Sequence, residues 1–163
     1  MKKIIAIMAF IPFFSFGGDS CEKNAGYDCM NTPLGKVEII DGVSQKKKTS
    51  IITLNDKVIY KVDSETMIPS NGDDGIADVH NVNGEYLTKK SIIGYWEDYP
   101  CHCEKFFMLD LSGDKPEMSN VFFDPASYYI DWVSWGDKNT IISLAGNKYR
   151  YEKGKITPIE NKK

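Results

Sequence analysis

Turn dipeptides that separate short β-prone segments are the feature that most constrains how this chain folds. Asn83-Gly84 lies between two such segments, and Asn55-Asp56 lies between two others. Asn-Gly is the strongest short-range hairpin signal because both residues accept a positive φ, and Asn and Asp tolerate the same backbone region. We therefore predict one hairpin over residues 50–62 and a second over residues 76–88.

The C-terminal part gives the clearest strand pattern. Strands are predicted at 140–144, 148–152 and 155–159, joined into a meander by Ala145-Gly146-Asn147 and Lys153-Gly154. Further apolar or aromatic runs predict strands at 36–41, 91–95, 104–111, 121–123 and 129–133. No long window follows the helical repeat. We expect an all-β fold of about ten short antiparallel strands, arranged as a sandwich, a barrel or a propeller-like sheet.

The first 17 residues have the pattern of a secretory signal peptide. Lys2 and Lys3 precede an apolar run over residues 4–14, and Ser15 and Gly17 supply the small side chains that a signal peptidase needs. The run is shorter than the roughly 20 residues that span a bilayer. We predict cleavage after Gly17 and a periplasmic location; an N-terminal core strand or a retained helix is the alternative.

The segment left after cleavage, residues 18–163, has the length of a single β-rich domain. Asp19 makes the sequence before Cys21 a poor lipidation box, so we expect no stable membrane anchor. Loss of Lys2 and Lys3 takes the net charge from −3 to −5. An acidic chain does not attract phosphate backbones, so we expect no nucleic-acid partner.

Cys21, Cys29, Cys101 and Cys103 all follow the predicted signal, and an even count in an oxidising compartment predicts two disulfides. In an extended strand the Cβ atoms of Cys101 and Cys103 lie roughly 6 to 7 Å apart, whereas a disulfide needs about 3.8 Å. We therefore expect both to bond to the N-terminal pair, Cys21 to Cys101 with Cys29 to Cys103, or crossed. The alternative is a local Cys21–Cys29 loop, with residues 101–103 forming a labile disulfide or a metal site.

Catalytic and metal chemistry find little support. Neither His80 nor His102 lies in a nucleophile motif, so we predict a protein that is not an enzyme and has no cofactor. Asp78 and His80 share a face if they lie in a strand, which also fits a general base with an orienting carboxylate. Oxygen ligands cluster in one loop at Asn71, Asp73, Asp74 and Asp78, but the spacing departs from an EF-hand and favours a solvated turn.

Two aromatic clusters are the candidate partner-binding residues. The first comprises Tyr95, Trp96, Glu97, Asp98 and Tyr99, immediately before the Cys101–Cys103 pair. The second contains Tyr128, Tyr129, Trp132 and Trp135, of which Tyr128, Trp132 and Trp135 are the candidates. About half of each set faces the core if these segments are strands. Exposed rings beside charge have the composition of a binding hot spot, and a loop held by a disulfide loses little entropy on binding.

The signal, the chain length, the paired cysteines, the strands after Asn55 and the hairpin tail over 136–159 together resemble the periplasmic immunity proteins of Gram-negative bacteria. Members of that group neutralise peptidoglycan-cleaving or other antibacterial effectors delivered by type VI secretion. The resemblance implies a tight complex with one cognate secreted effector, formed by capping its active-site cleft or by inserting a loop. The alternatives are a periplasmic module that binds a small ligand or envelope component and a metal- or histidine-dependent hydrolase.

Overall fold

The computed structural model describes Cys21 and residues 28–42, 48–72, 75–98 and 101–160. These residues form thirteen strands in three antiparallel sheets and no helix, which confirms the predicted all-β class. The described sheets stay open and pack face to face rather than closing on themselves. The predicted signal peptide, residues 1–17, lies outside the described residues.

The first sheet is a four-stranded meander in the order β1-β2-β3-β4. Its strands are β1 (Cys29–Thr32), β2 (Gly35–Ile40), β3 (Ser50–Leu54) and β4 (Lys57–Val62). The predicted hairpin turn between β3 and β4 has positive φ at Asn55 and Asp56. The Asn55 side chain accepts a hydrogen bond from the Lys36 amide at 3.0 Å and donates one to the Leu34 carbonyl at 3.0 Å. One asparagine therefore forms its own turn and braces the β1–β2 turn.

The second sheet contains the longest strand of the fold. Its members are β5 (Met67–Pro69), β6 (Asp78–Val82), β7 (Glu85–Glu97), β8 (Cys103–Asp110) and β9 (Glu117–Met118). The order is β5-β7-β8-β9, and β6 pairs with the first half of β7 through the predicted Asn83-Gly84 turn. The second arm of the hairpin predicted over 76–88 and the strand predicted at 91–95 form one strand of 13 residues.

The third sheet is the predicted C-terminal meander, in the order β10-β11-β12-β13. Its strands are β10 (Trp132–Ser134), β11 (Thr140–Leu144), β12 (Asn147–Glu152) and β13 (Lys155–Pro158). Positive φ values at Ala145, Gly146, Lys153 and Gly154 form the two tight turns. The segment predicted as a strand at 121–123 makes a single bridge, Phe106 to Phe122, instead.

Two hydrophobic cores share the β7–β8 pair. Ile93, Phe107 and Leu109 face the first sheet, whereas Ile92, Phe106 and Met108 face the third. Consecutive strand residues point to opposite faces, so a strand in a middle layer is apolar at every position. The second sheet is therefore the middle of three layers.

A buried ion pair joins the middle layer to its edges. The Lys90 ammonium donates to the Gly136 carbonyl at 2.6 Å and lies 3.6 Å from Asp78 Oδ2. Lys90 and Asp78 are both buried. Asp78 Oδ1 also contacts His80 Nε2 at 2.7 Å, which confirms that the two side chains share a face. This network holds β6, β7 and the turn before β11 together.

We expect Phe106→Ala and Phe107→Ala each to lower the free energy of unfolding by about 3–5 kcal/mol, because each ring fills one of the two cores. Both variants should keep one cooperative urea transition followed by fluorescence and circular dichroism, since β8 belongs to both cores. Val58→Ala, at an exposed position on β4, is the control and should change stability by less than about 0.5 kcal/mol. Two separate transitions in Phe107→Ala would contradict this shared architecture.

Candidate functional site

The cysteines pair locally, Cys21 with Cys29 and Cys101 with Cys103, with Cα atoms 5.9 Å and 5.2 Å apart. The expectation that Cys101 and Cys103 bond to Cys21 and Cys29 is therefore wrong. The alternative of a local Cys21–Cys29 loop, with a disulfide within residues 101–103, is confirmed. The argument failed because the chain is not extended there: His102 has a φ of 47°. A left-handed residue, which histidine adopts more readily than most, turns the neighbouring side chains toward each other. Because both sulfurs are bonded, the alternative of a metal site at 101–103 is also wrong.

Tryptic mapping of the oxidised protein tests this connectivity. The peptide of residues 91–105 contains both Cys101 and Cys103, so we expect it to run alone and to weigh two hydrogen atoms less than after reduction. The peptides that carry Cys21 and Cys29 should appear as a linked pair, because Lys23 provides a cleavage site between them. A peptide that joins either to residues 91–105 would contradict the structure.

Trp96 and Tyr128, one from each predicted cluster, meet at the surface. Their ring centroids are 5.7 Å apart with planes tilted by 39°. Trp96 lies near the end of β7, and its indole N–H donates a 2.8 Å hydrogen bond to Asp98 Oδ1. Trp96 is 37% exposed and Tyr128 is 55% exposed. We call Trp96, Asp98 and Tyr128 the aromatic patch.

The remaining candidates have different environments. Tyr95 is a core residue beside Phe107, where burial raises the pKa of its hydroxyl, and it presents no exposed ring. Trp135 is half-buried against the core that contains Phe106, and its indole N–H donates to the Ile76 carbonyl at 2.9 Å. Trp132 is exposed, with the Lys148 ammonium 5.8 Å above its ring. Tyr99 lies outside the described residues.

The acidic candidates also differ. Glu97 forms a 2.5 Å ion pair with Lys105, whose ammonium also lies 5.6 Å from the ring centroid of Phe123. Asp98 is exposed and is the acceptor for Trp96. Phe123 is 40% exposed and is not among the predicted contact residues. Glu97 is therefore paired within the protein, whereas Asp98 leaves acceptor capacity at the surface.

A depression of about 260 Å³ borders the aromatic patch. It is lined by Thr66, Ile68, Gly94, Tyr95, Trp96 and Glu104. Gly94 forms its floor: a Cβ there would lie 2.4 Å from Glu104 Oε1 and 2.6 Å from Ser70 Oγ. Ile68 pairs with Gly94 across β5 and β7, and Trp96 pairs with Glu104 across β7 and β8. We call this site the Gly94 depression.

Glu104 is the charged group of the Gly94 depression. It is half-buried, and its Oε1 accepts a 3.4 Å hydrogen bond from the Ser70 hydroxyl. Burial raises the pKa of Glu104, and the bond from Ser70 opposes this only in part. In the described part of the chain, none of the five ion pairs includes Glu104. Its carboxylate therefore lies beside an indole without a cationic partner from these residues.

Sequence reasoning missed the Gly94 depression. Ile68 and Ser70 belong to β5 and its end, a strand too short to predict from sequence. Gly94 interrupts an apolar strand segment, and such a glycine is a signal for close approach of another group. That was the one available signal, and it did not identify the neighbours.

The oxygen-rich loop does not gather its ligands. Asn71 is buried, and its Oδ1 accepts hydrogen bonds from the Ile92 amide at 2.8 Å and the Ser91 hydroxyl at 3.1 Å. Asp78 is engaged with Lys90 and His80. Asp73 and Asp74 lie outside the described residues. Within the described ranges, no group of three His, Cys, Asp or Glu side chains has the arrangement of a metal site.

In comparisons with protein-family models, curated proteins and solved structures, the chain has no match. A search of the described residues also found no helix with the length and apolar character needed to cross a bilayer.

The raised pKa of Glu104 predicts how Glu104→Gln depends on pH. A carboxyl group with a raised folded-state pKa binds its proton more tightly in the folded protein, so folding is favoured below its ordinary pKa and loses this contribution as the pH rises through the folded value. We therefore expect Glu104→Gln to have a higher free energy of unfolding than the parent at pH 7. Urea titrations should show this advantage shrinking toward pH 4, and an advantage that grows as the pH falls would contradict the assignment.

Proposed function

We propose that this chain is an exported proteinaceous inhibitor, an immunity protein that binds and blocks a cognate antibacterial effector, such as a cell-wall hydrolase, in the periplasm. The single observation that supports it best is the aromatic patch. Trp96 and Tyr128 are large exposed rings in mutual contact, and Asp98 fixes the indole. Such preordered aromatic side chains lose little entropy on binding and are the residues that dominate interface energies.

The position of the patch adds to this argument. Trp96 belongs to the middle layer, and the paired strand β8 begins at Cys103, which is bonded to Cys101. The Cys101–Cys103 bond lies in the connection from β7 to β8, and Cys103 pairs with Glu97, the residue after Trp96. A short loop closed by a disulfide restricts the chain near Trp96, and a restricted contact surface loses less entropy on binding than a mobile loop does.

The two disulfides are compatible with an oxidising compartment outside the cytoplasm. The predicted signal at residues 1–17 supports the periplasmic part of the proposal. An acidic inhibitor meets a basic hydrolase faster at low salt, because opposite net charges steer the encounter.

The second candidate function is a periplasmic module for a small ligand, for which the Gly94 depression would be the binding site. Its volume of about 260 Å³ lies below the roughly 300–1,000 Å³ of most small-molecule sites. The depression is thus large enough for one side chain and small for a whole metabolite. Because of this small volume, recognition of a protein is the first candidate function.

The test is the affinity for a secreted hydrolase, and the genes beside the one that encodes this chain are the first place to look for it. We expect Trp96→Ala and Tyr128→Ala each to weaken binding by about 2 kcal/mol, roughly 30-fold, measured by calorimetry and by protection of cells that export the effector. Tyr86→Ala is the matched control: Tyr86 is 73% exposed on the same strand, roughly 30 Å from Trp96. If both patch variants bind and protect as the control does, or if the parent chain neither binds nor protects, the proposal is wrong.

A further inference from the structure

We propose that the Gly94 depression receives a lysine or arginine side chain of the protein partner, with the Glu104 carboxylate as its counter-charge and the Trp96 indole as its wall. This inference rests on the proposed function only in taking a protein partner as the source of the cation. It adds the chemistry of the group that is recognised.

The charge of Glu104 is the first step. Glu104 is half-buried, so its carboxylate has lost part of its water shell and gains from a charged or hydrogen-bonding partner. Its hydrogen bond from Ser70 is long, at 3.4 Å. The adjacent lysine does not supply a cation, because Lys105 points to the opposite face of β8 and pairs with Glu97. The remaining acceptor positions of the Glu104 carboxylate are therefore available to a group from outside these residues.

The walls select the shape of that group. Ile68 and Trp96 flank the glycine floor, and a lysine or arginine stem packs its methylene groups against such apolar surface. A cation near the face of an indole gains further attraction from the ring electrons. An acidic side chain would meet Glu104 as a like charge, and a purely apolar one would leave the carboxylate without a counter-charge.

The net charge of the chain agrees with this choice of occupant. At −3 for the whole sequence, the protein attracts a basic surface, and one buried cation at the centre of that surface would fix the register of the complex. The depression borders the aromatic patch through Trp96, so a single contact area would contain both features.

The experiment uses the oxidised, ¹⁵N-labelled protein and three probes: Nα-acetyl-arginine methylamide, Nα-acetyl-lysine methylamide and the uncharged Nα-acetyl-norleucine methylamide. We expect saturable millimolar binding of the two cationic probes. Chemical shift changes should concentrate at the Gly94 amide and the Trp96 indole N–H. The norleucine probe should bind at least about tenfold more weakly, because it lacks the charged hydrogen bond to Glu104.

Two variants and one control assign the effect. Glu104→Gln should weaken the cationic probes about tenfold and leave the norleucine probe unchanged. Gly94→Ala adds a methyl group that would meet Glu104 Oε1 and Ser70 Oγ, so these side chains must shift and all three probes should bind more weakly. Glu104→Gln keeps the test decisive if that variant does not fold. Glu117→Gln removes an exposed carboxylate from β9 of the same sheet and should bind as the parent does.

Equal binding of the norleucine and arginine probes, no saturable shift at Gly94, or equal losses in Glu104→Gln and Glu117→Gln would each overturn the inference. These outcomes are distinct from a failure of the proposed function, because the probes need no effector. With the effector, Glu104→Gln should lower affinity about tenfold if the inference holds. If Trp96→Ala weakens the effector complex while Glu104→Gln does not, the inhibitor proposal stands and the cationic occupant is wrong.

Discussion

Burial of β7 and β8 on both faces is the constraint on which the rest of the structure depends. Phe106 fills one core and Phe107 the other, so the two strands lie in the hydrophobic interior on both sides. Each outer sheet covers only one face of the middle layer. The two meanders are therefore held to the molecule by contacts to the same strand pair, and the surface features of β7 inherit the rigidity of a central element.

That rigidity explains why the candidate site lies where it does. Trp96 and Glu104 are paired residues at the end of β7 and the beginning of β8. Their face of the strands is uncovered there, whereas Tyr95 and Cys103, on the opposite face, remain buried. The polypeptide changes over a few residues from full burial at Ile92 and Ile93 to exposure at Trp96. A glycine at position 94, within this transition, turns the boundary into a depression with a charged group at its edge.

Local signals allowed the hairpins to be predicted, because Asn83-Gly84 and the turns of the C-terminal meander impose positive φ by their own chemistry. Long-range pairing escaped prediction. β5 and β9 contain three and two residues and exist because β7 and β8 offer free edges. The same limit applies to the site. Trp96 and Tyr128 were both identified from sequence, but their contact is long-range, and the segment that contains Tyr128 is placed by the bridge between Phe106 and Phe122. The disulfides were mispredicted because an extended backbone was assumed at His102.

Hydrophobic burial alone specifies the register only weakly for an apolar strand that is buried on both faces. In a half-exposed strand, a register shift of one residue would expose the whole apolar face to water. In β7 the same shift would only exchange Ile92 and Ile93 between the two hydrophobic cores. Polar groups that have one acceptable position must then set the alignment. The Lys90 ammonium reaches the Gly136 carbonyl and Asp78 from a single location, and the Asn71 oxygen caps the Ile92 amide from another. These buried polar contacts fix the register of β7. The register in turn determines that Trp96 is the side chain exposed near the end of the strand.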